Sequence, residues 1–291
     1  MVKKVYKIPF KNYITRAYCF GDIFNGTPLI ILHGGPGGCD ERYEPLEKLA
    51  ELGIPLIFYD QLGCGYSKVP KNSKISWNFR IFLEELDNLI KYFKLKKFNI
   101  LGHSWGGMLA LEYSCNTSHL GLEKLILFST LPSTKIWNEE HLKMIKDFPR
   151  EIRQEIIKFY NNEKYDEKLF KKGVNLFYKN HVGKKSTELY KFNRKKFPKT
   201  NKQIYNEMWG NNELFGTGNL KDWSVEEELS KINVPTLILS GAFDESTPAM
   251  NKLMNERIKK SIWVLLKNSH HIGYVEEQEL VIKSIINFLH N

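Results

Sequence analysis

The run Phe98-Asn99-Ile100-Leu101-Gly102-His103-Ser104-Trp105-Gly106-Gly107-Met108-Leu109-Ala110-Leu111 decides the architecture. Its first four residues form a short, wholly apolar stretch bar one, as expected of a strand covered on both faces of a parallel sheet. A helix-forming stretch follows directly from Trp105 to Ser114. Ser104 stands at the junction, inside Gly-x-Ser-x-Gly. A sharp strand-to-helix turn there exposes the hydroxyl, and the helix start adds N–H donors and partial positive charge. The flanking glycines fit because side chains at those places would collide with neighbouring backbone. The five-residue pattern alone also suits a plain strand–helix turn, so its surroundings must carry the reading.

Similar apolar runs lie on either side. Leu29–Leu32, Leu56–Tyr59 and Leu125–Phe128 read as further buried strands, and Val5–Phe10 and Tyr13–Phe20 as a leading pair. Between them, Phe79, Phe82, Leu83, Leu86, Ile90 and Phe93 recur at helical spacing across Trp77–Phe93, with charges between. This alternation predicts an α/β fold with right-handed crossovers. It stops after Thr130. From about Asn138 to Glu228 the chain is rich in Lys, Glu, Asn and Tyr and helical in period, without strand-like runs. Strands resume at Pro235–Leu239 and Ile262–Leu266, and a helix over Glu276–Leu289 ends the chain. The expected organisation is a core over 1–131 and 231–291, with a helical cap domain inserted at 132–230.

The strand ends carry the remaining chemistry. His33-Gly34-Gly35-Pro36-Gly37-Gly38 follows the first apolar run. A Gly-rich loop brings backbone N–H groups close to a substrate, and Gly35 is the candidate oxyanion donor beside the Trp105 N–H. A phosphate-binding loop would need a Lys-Ser/Thr ending, absent here, and Pro36 removes a donor. After the resumed strand comes Ser240-Gly241-Ala242-Phe243-Asp244-Glu245. Asp244 can orient a histidine, while Ser246 or Thr247 better suits the start of the helix near Pro248. His270 and His271 follow the last strand, and only one of them can aim at Ser104. The order serine, aspartate, histidine is that of an α/β hydrolase: a mostly parallel sheet, helices on both faces and, here, the inserted helical cap. Ser104 argues against the dehalogenases and epoxide hydrolases of that fold, whose nucleophile is an Asp at this place.

Composition excludes other classes. The chain has 291 residues, 42% hydrophobic and 26% charged, with a net charge of +10. Its basic residues are dispersed, and the densest run, Lys184–Lys202, reads as polar helix faces without a nucleic-acid motif. Cys19, Cys39, Cys64 and Cys115 show no metal-like spacing, and no apolar run reaches membrane-span length. Neither nucleic acid nor membrane is an expected partner. A cytoplasmic protein with reduced thiols is expected.

Three motifs then carry a family resemblance over nearly the whole chain. His33–Gly38 resembles the HGGPG motif of the proline iminopeptidases, Asp60-Gln61-Leu62-Gly63-Cys64-Gly65-Tyr66-Ser67 their DQxGxGxS motif, and Gly102–Gly107 their GxSWGG elbow. The tricorn-interacting aminopeptidases of archaea are the branch it most resembles, from Leu62 in the DQ motif and from Gly210-Asn211-Asn212-Glu213-Leu214-Phe215. The resemblance implies a serine aminopeptidase without metal or organic cofactor, acting on short peptides, and docking on a larger peptide-producing protease. It selects His271, because a Glu five positions on, Glu276, opens the last helix in the family. It also implies that Glu213 and Glu245 hold the substrate's free amine.

That last implication is physically sound. A free α-amino group has a pKa of about 8 and is cationic near neutrality. Carboxylates beyond the acyl side of the nucleophile pair with it, and a blocked N-terminus leaves them desolvated and unpaired. Two rival readings remain: an esterase or other small-molecule hydrolase on the same fold, and a binding protein without catalysis. A Tyr- and Phe-rich cap suits a pocket for proline and other apolar first residues, though such side chains also build cores.

Overall fold

The computed structural model describes residues 3–70, 72–116, 120–183 and 200–290. Most of the basic run Lys184–Lys202 therefore lies outside the described residues, as does His119.

Eight strands form one sheet: β1 (Lys4–Phe10), β2 (Tyr13–Phe20), β3 (Leu29–Leu32), β4 (Leu56–Asp60), β5 (Phe98–His103), β6 (Leu122–Phe128), β7 (Thr236–Gly241) and β8 (Ser261–Leu266). Their spatial order is β1-β2-β4-β3-β5-β6-β7-β8. Strand β2 runs antiparallel to both of its neighbours, and every pairing from β4 to β8 is parallel. The expected mostly parallel α/β-hydrolase sheet is what the chain forms.

Why the central runs are apolar throughout is visible in their packing. Successive side chains of a strand point to opposite faces. Ile30, Leu32, Ile57, Ile100, Leu125, Leu127 and Ile238 join one cluster, with Phe82, Leu86 and Leu89 of the helix Phe79–Tyr92 and Met108 and Leu109 of the helix Trp105–Asn116. Leu29, Ile31, Leu56, Leu101, Ile126, Leu237 and Leu239 join the other, with Val281, Ile282 and Ile285 of the helix Gln278–His290. Both faces are covered, so no polar alternation is tolerated. Each fully buried Leu or Ile contributes about 1.5–3 kcal/mol relative to exposure.

Between β6 and β7 lie the helices Thr134–Met144, Arg150–Tyr160, Glu167–Phe177 and Lys202–Met208. A third cluster is built wholly there, from Ile145, Phe148, Ile152, Ile156, Phe170, Phe177, Leu214 and Phe215. Trp137, Ile204, Met208, Trp209 and Leu220 of the same stretch pack instead into the first cluster. Among the described residues no helix is long and apolar enough to cross a membrane. All four cysteines are buried free thiols.

Two element boundaries differ from the periodic reading. The helix expected from Trp77 starts at Phe79, because Asn78 caps it by accepting from the Ile81 N–H. The final helix is interrupted: a short turn of helix, Gly273–Glu276, precedes Gln278–His290. Glu277 leaves helical geometry between them, and its carboxylate accepts from the Asn268 N–H at 2.9 Å and the Ser269 hydroxyl at 2.6 Å. Glu85, one of the charges between apolar positions in the helix Phe79–Tyr92, is fully buried. It accepts from the Thr15 hydroxyl and, at 2.8 Å, from the Leu62 N–H, and burial raises its pKa to about 8. It thereby ties the loop after β4 to β2.

Candidate active site

The loops leaving the C-terminal ends of β3, β5, β6, β7 and β8 converge, as expected for an open parallel sheet. Ser104 joins β5 to the helix Trp105–Asn116 with φ of 55°, the left-handed region. For a non-glycine residue this costs about 1–2 kcal/mol. The turn is held by the Ser104 N–H donating to the Phe128 carbonyl at 3.0 Å, and by the Ser104 carbonyl accepting from Gly107, Met108 and the Thr130 hydroxyl. A side chain on Gly106 would strike the Leu32 carbonyl, so glycine is the residue that lets the elbow sit against β3.

The three sequence motifs are wired together here. The Trp105 indole N–H donates to Gln61 Oε1 at 2.8 Å, and the Gln61 amide donates to the His33 carbonyl at 3.0 Å. The Gln61 backbone N–H donates to His33 Nε2 at 3.0 Å, which leaves the imidazole proton on Nδ1, donating to the Gly34 carbonyl at 2.9 Å. Trp105, Gln61 and His33 are all at most 1% exposed. Sequence spacing gives the types of these residues but not this contact path.

Trp105 is the first residue of its helix, so its backbone N–H has no acceptor within the helix. In the glycine loop, the Gly34 N–H is committed to the Tyr43 hydroxyl at 2.7 Å. Gly35, the next residue of the loop, has a φ of 138°, a conformation L side chains rarely adopt. Tyr43 in turn contacts His103 Nδ1 at 2.9 Å, and His103 Nε2 donates to the His271 carbonyl at 2.9 Å. Burial, helped by the neighbouring His271 ring, drops the His103 pKa to about 3. His103 is thus neutral, with its proton on Nε2, and Tyr43 donates to Nδ1. The chain from Gly34 to His271 was not visible in the sequence, where His103 stands only as a residue of the Gly-x-Ser-x-Gly run.

Asp244 and His271 are brought together: Asp244 Oδ1 lies 2.8 Å from His271 Nδ1. The carboxylate also accepts from the Ser129 hydroxyl at 2.5 Å, the Ser246 N–H at 2.8 Å and the Gly241 N–H at 3.3 Å. Burial pushes the Asp244 pKa up, but the His271 charge and these donors outweigh it and hold it below the usual value. Ser129, at the end of β6, carried no signal in the sequence. Thr247, not Asp244, caps the helix Pro248–Arg257, accepting from Met250. His270 faces away, to Glu276, whose carboxylate takes its N–H at 2.6 Å and lies 3.1 Å from its Nδ1. The glutamate five residues after His271 therefore serves His270 and closes the short helix rather than opening the last one. Ser104 Oγ makes no hydrogen bond to His271 among the described residues; such bonds often tighten only with substrate bound.

His271 Nε2 lies 3.4 Å from Glu245 Oε1. Glu245 is 1% exposed, and neither of its carboxylate oxygens has a hydrogen-bond donor among the described residues. Burial, then the nearby Glu213, then Asp244 raise its pKa well above the ordinary value. Glu213 is half-buried and accepts from the Tyr205 hydroxyl at 2.6 Å and the Tyr178 hydroxyl at 3.3 Å. An isolated buried carboxylate is costly, and an incoming cation relieves it. The two tyrosines are further residues that sequence reasoning did not single out.

Residues 27–278 match the alpha/beta hydrolase fold family. A proline iminopeptidase of Clostridium botulinum is 36% identical over 97% of this chain and 96% of its own length. One from Lactobacillus acidophilus is 37% identical over 97% of both. Among solved structures, a proline iminopeptidase from Mycobacterium smegmatis superposes with a TM-score of 0.84 at 25% identity, covering 99% of this chain and 98% of its own. An esterase from Exiguobacterium antarcticum, at 20% identity and a TM-score of 0.69 over 100% of both chains, shares the fold. With this fold and these relatives, the chain belongs to the proline iminopeptidase family of α/β hydrolases.

Proposed function

We propose that this protein is a serine aminopeptidase that releases the first residue, proline or another apolar residue, from short peptides. The observation that carries the reading is Glu245: a buried carboxylate without a donor, beside His271 and close enough to Glu213 to be raised by its charge. Such a site suits a single cation, and a peptide's free N-terminus supplies one beside its first carbonyl.

In the proposed cycle the peptide ammonium is held by Glu245 and Glu213. His271 Nε2 takes the Ser104 proton as Oγ attacks the first carbonyl carbon. The Trp105 and Gly35 N–H groups receive the oxyanion. His271 passes the proton to the leaving amine as the C–N bond breaks, leaving the aminoacyl ester on Ser104. Water attacks that ester, again with His271 as base, and the free amino acid departs. Asp244 keeps the His271 proton on Nδ1 and stabilises the imidazolium. No step calls for a metal or an organic cofactor.

Residues 132–230 are proposed as the cap that covers this site and supplies Glu213. The assignment to the archaeal tricorn-interacting branch and a cytoplasmic location are likewise proposals. The implied docking on a larger protease gains no support from a described surface and forms no part of the reading.

A fluorophosphonate probe tests it, with prolyl and alanyl amides as substrates. The expected result is one label on Ser104, loss of both labelling and hydrolysis in Ser104→Ala, and cleavage of the amides. Brisk ester cleavage with no amide cleavage would favour the esterase; no labelling of folded wild type would remove the enzyme reading.

A further inference from the structure

His141 lies on the helix Thr134–Met144 and is fully buried. Its ring sits between Trp137 and Phe177, with centroids 4.1 Å and 4.7 Å away. In so apolar a pocket a hydrophobic side chain would pack without any polar cost. Instead both ring nitrogens meet backbone carbonyls: Nδ1 is 2.8 Å from the Leu214 oxygen and Nε2 is 3.0 Å from the Glu245 oxygen. Leu214 directly follows Glu213. One rigid ring therefore spans the two backbone segments that carry the two amine-binding candidates, one from the stretch between β6 and β7, the other from the loop after β7.

We propose that His141 is a positioning residue that sets the separation of Glu213 and Glu245 and thereby the preference for a free substrate amine. The inference rests on the amine-recognition reading above. A carboxylate pair grips one ammonium only if its spacing is held, and the side chains themselves do not hold it: Glu245 has no donor, and Glu213 is fixed by tyrosine hydroxyls from its own stretch. The strut between their backbones supplies that rigidity. A neutral imidazole donates from one nitrogen only, and burial holds the His141 pKa down to about 3. The ring therefore bonds one carbonyl in each tautomer and keeps the other at contact distance. A residue serving packing alone has no need of either carbonyl.

The experiment compares wild type with His141→Phe, His141→Asn and His141→Gln. Each is assayed on a free-amine aminoacyl amide, its N-acetyl form, and an acyl ester of the same side chain lacking the amine. His141→Phe keeps the ring volume and loses the polar link to either carbonyl; Asn keeps a donor near Nδ1, and Gln one near Nε2. The expected result is a rise in KM of about tenfold or more for the free-amine amide in the Phe variant. The rate on the amine-free ester should stay within about twofold, and Asn or Gln should recover part of the KM. Should the Phe variant not fold, the Asn and Gln variants carry the comparison, each expected to raise KM selectively by a smaller factor. Equal losses on ester and amide, or unchanged KM in all variants, would overturn the proposal while leaving amine recognition intact. Wild type cleaving free and acetylated amides equally would instead overturn the amine reading, and this proposal with it.

Discussion

Glu245 Oε1 stands 3.4 Å from His271 Nε2, the ring nitrogen proposed to take the Ser104 proton. The opposite nitrogen is 2.8 Å from Asp244. One imidazole is thus flanked by two buried carboxylates with opposite tendencies: Asp244 is held low by its donors, and Glu245 is driven high by burial and by Glu213 and Asp244. Divergent carboxylates side by side mark divided roles. In the proposed cycle one orients the base and the other receives the substrate's cation. Replacing Glu245 with Gln is expected to cost about 2–3 kcal/mol, roughly 30- to 150-fold in kcat/KM, on free-amine amides. On an ester lacking the amine the loss should be absent. Steady-state kinetics on the two substrates measure the difference.

The same substitution should stabilise the fold. A carboxyl whose folded pKa exceeds its unfolded value binds more protons when folded, so it destabilises increasingly as pH rises above the unfolded value near 4.5. Glu245→Gln removes that penalty. Its thermal midpoint should exceed that of wild type at pH 7, and the advantage should vanish as pH approaches 4. Thermal unfolding of both proteins across this range checks the sign.

Ser129→Ala takes a donor from Asp244 at 2.5 Å. Hydrogen bonds to charged groups are worth about 1.5–3 kcal/mol, so stability at neutral pH should fall by that order. The Asp244 pKa is depressed in the fold, so its contribution is present above the unfolded value of 3.8 and is lost as pH falls through the lower folded value. The deficit of the variant should therefore shrink on acidification below pH 3.8. Denaturant unfolding at pH 7 and below pH 3.8 measures it.

Trp105→Phe leaves the buried Gln61 Oε1 without its 2.8 Å donor. The orphaned amide should cost about 1–3 kcal/mol of stability. Because Gln61 also braces His33, and His33 the glycine loop, kcat should fall for amide and ester substrates alike with KM little changed. That pattern separates damage to the oxyanion side from damage to amine recognition.

What the sequence made legible was whatever depends on local pattern. Leu29–Leu32 and Leu125–Phe128 read as strands because burial on both faces leaves no polar alternation; Asp244 and the pair His270 and His271 stood out because each follows an apolar run, and the family resemblance alone chose His271. The contacts that finish the site join residues far apart in the chain. Ser129 meets Asp244 across 115 positions and His103 meets the His271 carbonyl across 168. No periodicity encodes such pairs. Glu85 looked like one more helix charge because a sequence does not show that the loop after β4 returns to cover it. Glu276 had the right spacing for His271, yet the turn at Glu277 aims it at His270.

Amine recognition is the central claim, and the ratio of kcat/KM for a prolyl amide to that for its N-acetyl form tests it most directly. The account predicts a ratio of about 100 or more in wild type, collapsing toward unity in Glu245→Gln. A wild-type ratio near one, from protein that labels fully at Ser104, would contradict it.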